Sequence, residues 1–296
     1  MCAAASEFHG LLVLDKPGGM TSRAAINRVQ KQLPRGIKIG HTGTLDPLAT
    51  GVLVVCLGQA TRLAEYVQAM QKTYRSTFRL GAHSDSDDAD GNITPVPGAP
   101  PLPESVIESA LHCFIGEIDQ VPPAYSAAKI EGRRSYDLAR EGEAVDLKPR
   151  RVTIHGIDLL SYSWPRLEIE IRCSKGTYIR SIARDLGERL GCGGYVEALR
   201  RTRVGPFAVE NAIAIDADPD AIRRQLRPMS EALAELSKLT VSVEIAERLR
   251  HGQTVSISTE MTGEIAVFLG EDLIAVCLAA ENLLRPLKVF PVAGER

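Results

Sequence analysis

The chain alternates between short apolar runs and turn-forming residues. Continuous apolar runs at 10–14 and 51–57 predict buried strands, and strict alternation at 74–80, 151–161, 167–173 and 196–204 predicts strands with one apolar face. Apolar residues spaced three and four apart predict helices at 61–67, 104–114 and 178–190, and another that Thr21 and Ser22 cap. Strands and helices therefore mix along most of the chain, which indicates an α+β fold.

The pattern changes near the end of the chain. Residues 216–239 are acidic, helical in pattern and typical of a linker, whereas 240–292 hold short β-like runs separated by turns. A single core stops growing at roughly 250 to 300 residues, and the chain has 296. We expect a catalytic domain at 8–236 and a small β-rich domain at 237–296.

Composition narrows the class of protein. No apolar run approaches the roughly 20 residues of a membrane span, and the first residues lack the features of a secretory signal. The cysteines form no Cys-x-x-Cys pair, which is typical of reduced cysteines in a cytoplasmic protein. We therefore expect a cytoplasmic location, no metal site and no cofactor.

The charge is unevenly distributed. The net charge of −2 argues against nucleic-acid binding. Residues 166–204, however, hold nine Lys or Arg against five Asp or Glu. Residues 121–151 also mix basic side chains with tyrosines, among them Lys129, Arg133, Arg134, Arg150 and Arg151. This mixture is typical of an arm that packs on RNA, with an ordinary surface helix as the alternative.

The strongest candidate for chemistry is the stretch GHTGTLDPLATGVL at 40–53. Its single acid, Asp46, precedes Pro47, which disfavours helical dihedrals at Asp46 and indicates a loop at the mouth of a buried strand. Rigidly supported loops often carry catalytic side chains. The alternative is an Asp-Pro turn that only leads into the strand.

These residues resemble the active-site signature of the bacterial TruB-type tRNA pseudouridine-55 synthases. Further similar stretches lie at 14–22, 72–75, 84–91, 121–129 and 173–180, so the resemblance covers 10–207. It implies a pseudouridine synthase fold with a mixed, largely antiparallel central sheet flanked by helices. It also implies an inserted RNA-binding thumb at about 121–151 and a C-terminal module of the PUA type.

The resemblance also assigns roles to residues. Asp46 would be the nucleophile, Tyr74 would pack on the flipped uracil instead of serving only as a core aromatic, and Arg180 would form a bidentate pair with Asp46. His41, Tyr178 and Leu199 would contact the substrate. Lys16 would neutralise a phosphate or steady the Asp46 loop, and some of the acids at 84–91 would hold Arg or Lys side chains.

The function implied is the isomerisation of uridine 55 in the T loop of tRNA, by base flipping and without a cofactor. The partner would be the T-arm stem-loop, and we expect a monomer. Two alternatives remain at this stage: a non-catalytic tRNA-binding or RNA-folding protein, and a glycosidase or nucleosidase that hydrolyses a related bond.

Overall fold

The structure is a computed structural model that describes residues 8–126, 129–130, 133–134 and 147–291, with the side chains of 129–130 and 133–134 left out. Its α-helices are Ser22–Gln32, Ala64–Ala69, Glu104–His112, Ile179–Arg189, Pro219–Arg224 and Val243–Arg250. Short 3-10 helices are Gly58–Leu63, Val209–Asn211 and Met229–Leu233. No helix in these ranges is long and apolar enough to cross a membrane.

A large sheet runs through the described residues between Gly10 and Ala214, and ten strands of the described chain belong to it. Its main path runs Ile213–Ala214, Gly10–Lys16, Thr50–Leu57, Gly194–Val204, Lys72–Leu80, Arg166–Cys173, Arg150–Ser163 and Gly116–Gln120, with Ile39–His41 and Phe207–Ala208 pairing at the side. Most pairs are antiparallel, and Gly194–Val204 runs parallel to Thr50–Leu57. The expected mixed, largely antiparallel sheet is therefore confirmed.

The apolar runs at the centre of this sheet are continuous because both faces are covered. Leu12 and Leu14 face a core that includes Ile26 and Ile182 from the helices. Leu11 and Val13, which alternate with them, face a second core. Period-two alternation thus sends neighbouring residues of one strand to two different cores.

A second sheet begins at Ser237. It contains Ser237–Thr240, Gly263–Leu269, Asp272–Ala280, Leu283–Val289 and Val255–Ser256, in that spatial order, within the described chain. Phe268 and Phe290 pack into the second core of the large sheet. Tyr66 also donates a hydrogen bond to Glu264 at 2.7 Å. The small sheet is therefore joined to the large one by apolar packing and by polar contacts at its rim.

One sequence expectation in this part of the chain was wrong. The segment 216–239 is not continuously helical, because Pro228 interrupts it and only Pro219–Arg224 forms an α-helix. The β-rich character expected of 240–292 is confirmed by the strands of the second sheet. The segment also holds one helix that the sequence did not predict, Val243–Arg250, which Ser242 caps. Short pairs of strands also occur at Ala82–Ser84 with Ile93–Pro95 and at Lys129–Ile130 with Arg133–Arg134.

Candidate active site

Hydrogen bonds from neighbouring segments fix the loop that carries Asp46. The Leu45 N–H donates to the Ser22 hydroxyl at 2.8 Å, and this hydroxyl donates back to the Leu45 carbonyl at 3.0 Å. The Gly19 N–H donates to the Pro47 carbonyl at 2.9 Å. Asp46 is therefore held between the first helix and the turn that precedes it, which is more support than an isolated Asp-Pro turn would have.

Lys16 lies beneath this loop and is fully buried. Its ammonium donates to the carbonyls of Pro17 at 2.9 Å, Met20 at 2.7 Å and Pro47 at 3.4 Å. Burial lowers its pKa to about 8. Of the two roles considered for Lys16, these contacts favour steadying the loop. Lys16 is also not among the residues that line the cavity described next.

A cavity of about 630 Å³ lies beside the loop. It brings together six of the seven residues to which the resemblance assigns a role near the active site, from four separate parts of the chain: His41, Asp46, Tyr74, Tyr178, Arg180 and Leu199. A volume of this size accommodates a small ligand such as a nucleoside. The cavity is therefore large enough for one extruded base with its sugar.

Arg180 is the principal partner of Asp46. Only 5% of its side chain is exposed, and its Nη2 lies 3.0 Å from Asp46 Oδ2. The expected bidentate pair does not form, because Nη1 lies 3.2 Å from Asp88 Oδ2 instead. One guanidinium is thus shared between two carboxylates. The expectation that acids at 84–91 hold basic side chains is confirmed by Asp88 and by Asp87, which lies 3.0 Å from Arg184.

The electrostatics of Asp46 reflect this sharing. Burial raises the pKa of the Asp46 carboxyl, the Arg180 guanidinium opposes that effect, and the nearby Asp88 adds to it. Burial likewise raises the pKa of Asp87 to about 6, against the pull of Arg184. The Asp46 side chain is still 38% exposed toward the cavity, so Arg180 is the main protein group that holds it in its charged form.

The start of the helix Ile179–Arg189 is also fixed. Gln120 is buried, and its side chain accepts the Tyr178 N–H at 2.8 Å and donates to the Tyr178 carbonyl at 3.0 Å. Arg180 Nη2 and Ser181 donate to the carbonyls of Tyr125 and Val121, at 2.9 and 2.8 Å. The helix therefore holds the base of the predicted thumb as well as Asp46.

Sequence reasoning missed Arg201, which lines the cavity and is 2% exposed. Its Nε donates to the Val52 carbonyl at 2.7 Å and its Nη2 to the Gly43 carbonyl at 3.1 Å, so it joins the two ends of the Asp46 loop. Burial raises the pKa of the Tyr74 hydroxyl, and the nearby Arg201 guanidinium opposes that effect. Gly51 allows this approach, because a Cβ there would lie 2.2 Å from the Arg201 carbonyl oxygen.

Lys72 is the second cavity residue that was missed. It is buried, donates to the Met70 carbonyl at 2.6 Å and also contacts the Gln68 carbonyl. Burial lowers its pKa to about 8. A signal was present in the sequence, since Lys72 precedes Tyr74 on the buried face of one strand, as Arg201 follows Leu199 on another. A charge on the apolar face of a strand indicates a buried functional group.

His41 lies on the wall of the same cavity. Burial lowers its pKa, and the positive charges of Arg23 and Arg201 add to the effect. Its Nδ1 atom is buried and has no hydrogen-bond partner among the described residues. A neutral imidazole with a free ring nitrogen is suited to contact a polar ligand group.

The residues predicted to bind RNA differ in what the structure says of them. The side chains of Lys129, Arg133 and Arg134 lie outside the described residues. Arg150 and Arg151 are exposed at the start of a strand, and Arg151 lies 3.8 Å from Glu117 and 3.7 Å from Asp119. In the described ranges, no group of three His, Cys, Asp or Glu side chains is placed to hold a metal ion.

Comparison with known proteins agrees with this geometry. Residues 30–179 match the model of the TruB family pseudouridylate synthase (N terminal domain), and residues 180–234 match that of the tRNA pseudouridylate synthase B C-terminal domain. The chain is 46% identical to tRNA pseudouridine synthase B of Chromohalobacter salexigens, over 85% of this chain and 83% of that protein. It is 44% identical to the protein of that name from Cereibacter sphaeroides, over 96% of each.

Solved structures give the same fold. A chain in the crystal structure of a Cbf5-Nop10-Gar1 complex is 26% identical, with a TM-score of 0.74 over 99% of this chain and 87% of that chain. A second, in an H/ACA RNP bound to a substrate RNA containing 2'-deoxyuridine, is 24% identical with a TM-score of 0.74, over 99% of this chain and 88% of that chain. The family model and the curated relatives together show that the chain belongs to the TruB family of pseudouridylate synthases.

Proposed function

We propose that the chain is a tRNA pseudouridine synthase that isomerises uridine 55 in the T loop. The observation that carries the proposal is a carboxylate, Asp46, that an almost fully buried arginine holds in a cavity large enough for one nucleoside. The relatives of more than 40% identity carry the name tRNA pseudouridine synthase B. The choice of position 55 rests on the resemblance of the Asp46 loop to the TruB-type signature.

The reaction breaks the bond from C1′ to N1 of uracil and forms a bond from C1′ to C5. The proton on C5 is lost and N1 gains one, so nothing is oxidised and no water is consumed. Asp46 is suited to act as the nucleophile, because Arg180 favours its ionised form while 38% of the Asp46 side chain stays exposed to the cavity, where a flipped nucleotide can reach it. A flipped base that fills the cavity would displace water from it, which would protect the detached base from hydrolytic loss.

Other residues that line the cavity, or hold its loop, have separate roles. Tyr74 and Leu199 offer apolar surface for the flipped base, which loses a few kcal/mol of stacking when it leaves the RNA. His41 and Tyr178 supply polar groups at the rim of the base site. Lys16 acts indirectly, by holding the Pro47 carbonyl and with it the Asp46 loop.

The rest of the chain holds the tRNA. We assign 8–236 to the catalytic unit and 237–296 to a PUA-type unit, in keeping with the second sheet that starts at Ser237. The thumb at about 121–151, with Lys129, Arg133, Arg134, Arg150 and Arg151, would grip the T-arm backbone. We expect the protein to act as a monomer in the cytoplasm and without a cofactor.

The test is an Asp46→Asn variant, which keeps the size of the side chain and removes its charge. It should lose at least ~10⁴-fold in isomerisation, as expected for a removed nucleophile, and retain tRNA affinity. Tritium release from C5-labelled uridine in tRNA reports the reaction, and filter binding reports affinity. Residual turnover within about tenfold of wild type would remove Asp46 from the mechanism. Free uracil among the products would identify a hydrolase instead.

A further inference from the structure

The first helix carries a surface charge that the active site does not use. Between Asp15 and Asp46 the chain has six basic residues and no acidic one. Lys16 is buried, and the other five are exposed: Arg23, Arg28, Lys31, Arg35 and Lys38. We name these five residues the basic face. Soluble proteins usually intersperse both signs of charge on their surface, so a stretch of this length with one sign is unusual.

Helix geometry places this charge on one side. The helix Ser22–Gln32 buries Ala25, Ile26 and Val29 against the core. Arg23, Arg28 and Lys31 fall on the opposite, exposed half. From Arg23 to Lys31 the helix rises about 12 Å, a distance over which one strand of a nucleic-acid duplex presents about three phosphates.

No residue that the structure describes neutralises any of the five. In the ranges that the structure describes, no side chain of the basic face forms an ion pair or a hydrogen bond. The helix also has no acidic residue in its first turn, where Arg23 lies close to the positive end of the helix dipole. A cation at that end is unfavourable to the helix by a few tenths of a kcal/mol or more. Arg23 therefore does not contribute to the stability of the helix.

The other basic region of the sequence behaves differently. Within 166–204, arginines that looked available for RNA lie beside acids: Arg166 is 2.7 Å from Glu197, and Arg200 is 2.7 Å from Asp15. Arg172 likewise pairs with Asp158. Much of that positive charge is neutralised by acidic side chains of the protein itself. The charge of the basic face has no such partner among the described residues and is available to bind a polyanion.

The basic face also adjoins the cavity. Ser22, the first residue of the helix, exchanges two hydrogen bonds with Leu45, the residue before Asp46. Arg23 is close enough to lower the pKa of His41 on the cavity wall. The start of the helix therefore lies beside the place where an RNA would insert its uridine.

We propose that the basic face binds the phosphate backbone of the tRNA substrate, on the stem next to the loop whose uridine enters the cavity. The inference rests on the proposed function for the identity of the RNA. The basic face would be a second RNA-binding surface, on the body of the protein, in addition to the one expected on the thumb. Its contacts are to phosphates, so they set affinity and salt dependence and carry no base specificity.

The experiment compares two triple variants that each remove three positive charges. The test variant is Arg23→Gln, Arg28→Gln and Lys31→Gln. The control is Arg189→Gln, Arg223→Gln and Arg224→Gln, which are exposed residues outside the basic face, the thumb and the PUA-type unit. Filter binding of unmodified tRNA at several potassium chloride concentrations gives the slope of log K against log salt. The test variant should lower the magnitude of the slope by about 2 to 3, since each phosphate contact contributes about 0.7 to 0.9.

A charge-preserving variant, Arg23→Lys with Arg28→Lys, should keep the wild-type slope, because a phosphate contact needs charge more than a planar fork. Thermal unfolding should show all variants folded, since the replaced side chains are exposed. A test variant with the wild-type slope would overturn the inference, and this result would also be seen if the face docks another protein. Equal losses in test and control would overturn it too, because net charge alone would explain them.

The outcome is separable from that of the proposed function. The slope is measured by binding alone, whereas tritium release from the wild-type protein tests isomerisation. A wild type that isomerises while the test variant binds like wild type would refute only the basic face. A wild type without isomerisation would refute the proposed function, and the salt slopes would still decide whether the face binds RNA.

Discussion

The sharing of Arg180 between two carboxylates leads to a quantitative prediction. Arg180→Ala removes a charge-assisted hydrogen bond of 3.0 Å to Asp46 from a site where the arginine is 5% exposed. Such a bond contributes about 1.5 to 3 kcal/mol, which corresponds to a factor of roughly 10 to 150 in rate at 1.36 kcal/mol per tenfold. We expect a fall of that size in the single-turnover rate at saturating tRNA.

The pH profile gives a second signature of the same change. Arg180 opposes the upward pKa shift that burial and Asp88 impose on Asp46. Without Arg180 the pKa of Asp46 rises further, because burial and Asp88 then act unopposed by that cation. Activity needs the ionised carboxylate, so it is lost as the pH falls through that pKa. The acid limb of the rate profile should therefore move to higher pH in Arg180→Ala.

Arg184→Ala is the matched control, because it removes the same charge from the same helix. Arg184 contacts Asp87 and the Val121 carbonyl but not Asp46. This variant should keep a rate and an acid limb close to those of wild type. Arg180→Lys should recover only part of the rate, since one ammonium lacks the fork that reaches both Asp46 and Asp88. A defect in Arg180→Ala that is confined to tRNA affinity would refute this reasoning.

Two further predictions concern the residues that hold the Asp46 loop. Lys16 has a pKa of about 8 and needs all three N–H groups for its three carbonyls, so the single-turnover rate should fall as the pH rises through about 8. Lys16→Arg should shift that limb to higher pH, and an unshifted limb would exclude Lys16 as its source. Arg201→Met frees the Gly43 and Val52 carbonyls and should reduce kcat by about tenfold or more, with little change in KM for tRNA. Unchanged kcat in Arg201→Met would restrict Arg201 to folding stability, which thermal unfolding measures.

The regular part of the fold was predictable because its signals are local. In the strand Lys72–Leu80 every second residue is buried, as its alternation predicts. The helix Ile179–Arg189 buries Ile179, Ile182, Ala183 and Leu186, which are the residues of its apolar stripe. The helix Val243–Arg250 was missed because it buries only Ala246 and Leu249, which is too little for a periodic signal.

The catalytic loop was accessible from the sequence for a different reason. Asp46-Pro47 before a buried strand indicated a supported loop, and the similarity of the surrounding motifs supplied the proposed roles of Tyr74 and Arg180. Neither signal predicted that the Arg180 guanidinium is shared between two carboxylates. That geometry depends on Asp88, which the fold brings to Arg180 from 92 residues away in the chain.

The electrostatic character of the site was the least predictable feature, because it depends on burial of charge across strand pairs. Lys72 and Arg201 lie on adjacent strands, where Arg201 is the register partner of Tyr74. Together with Arg180 and Lys175 they give the cavity four basic side chains, against Asp46 and the neighbouring Asp88. The chain as a whole has a net charge of −2, which is opposite in sign to the net charge of the cavity wall. Burial strengthens each of these interactions relative to the surface, since the effective dielectric constant is lower there. A polyanion approaching the Asp46 loop therefore meets a positive site, although the protein carries an excess of acidic residues.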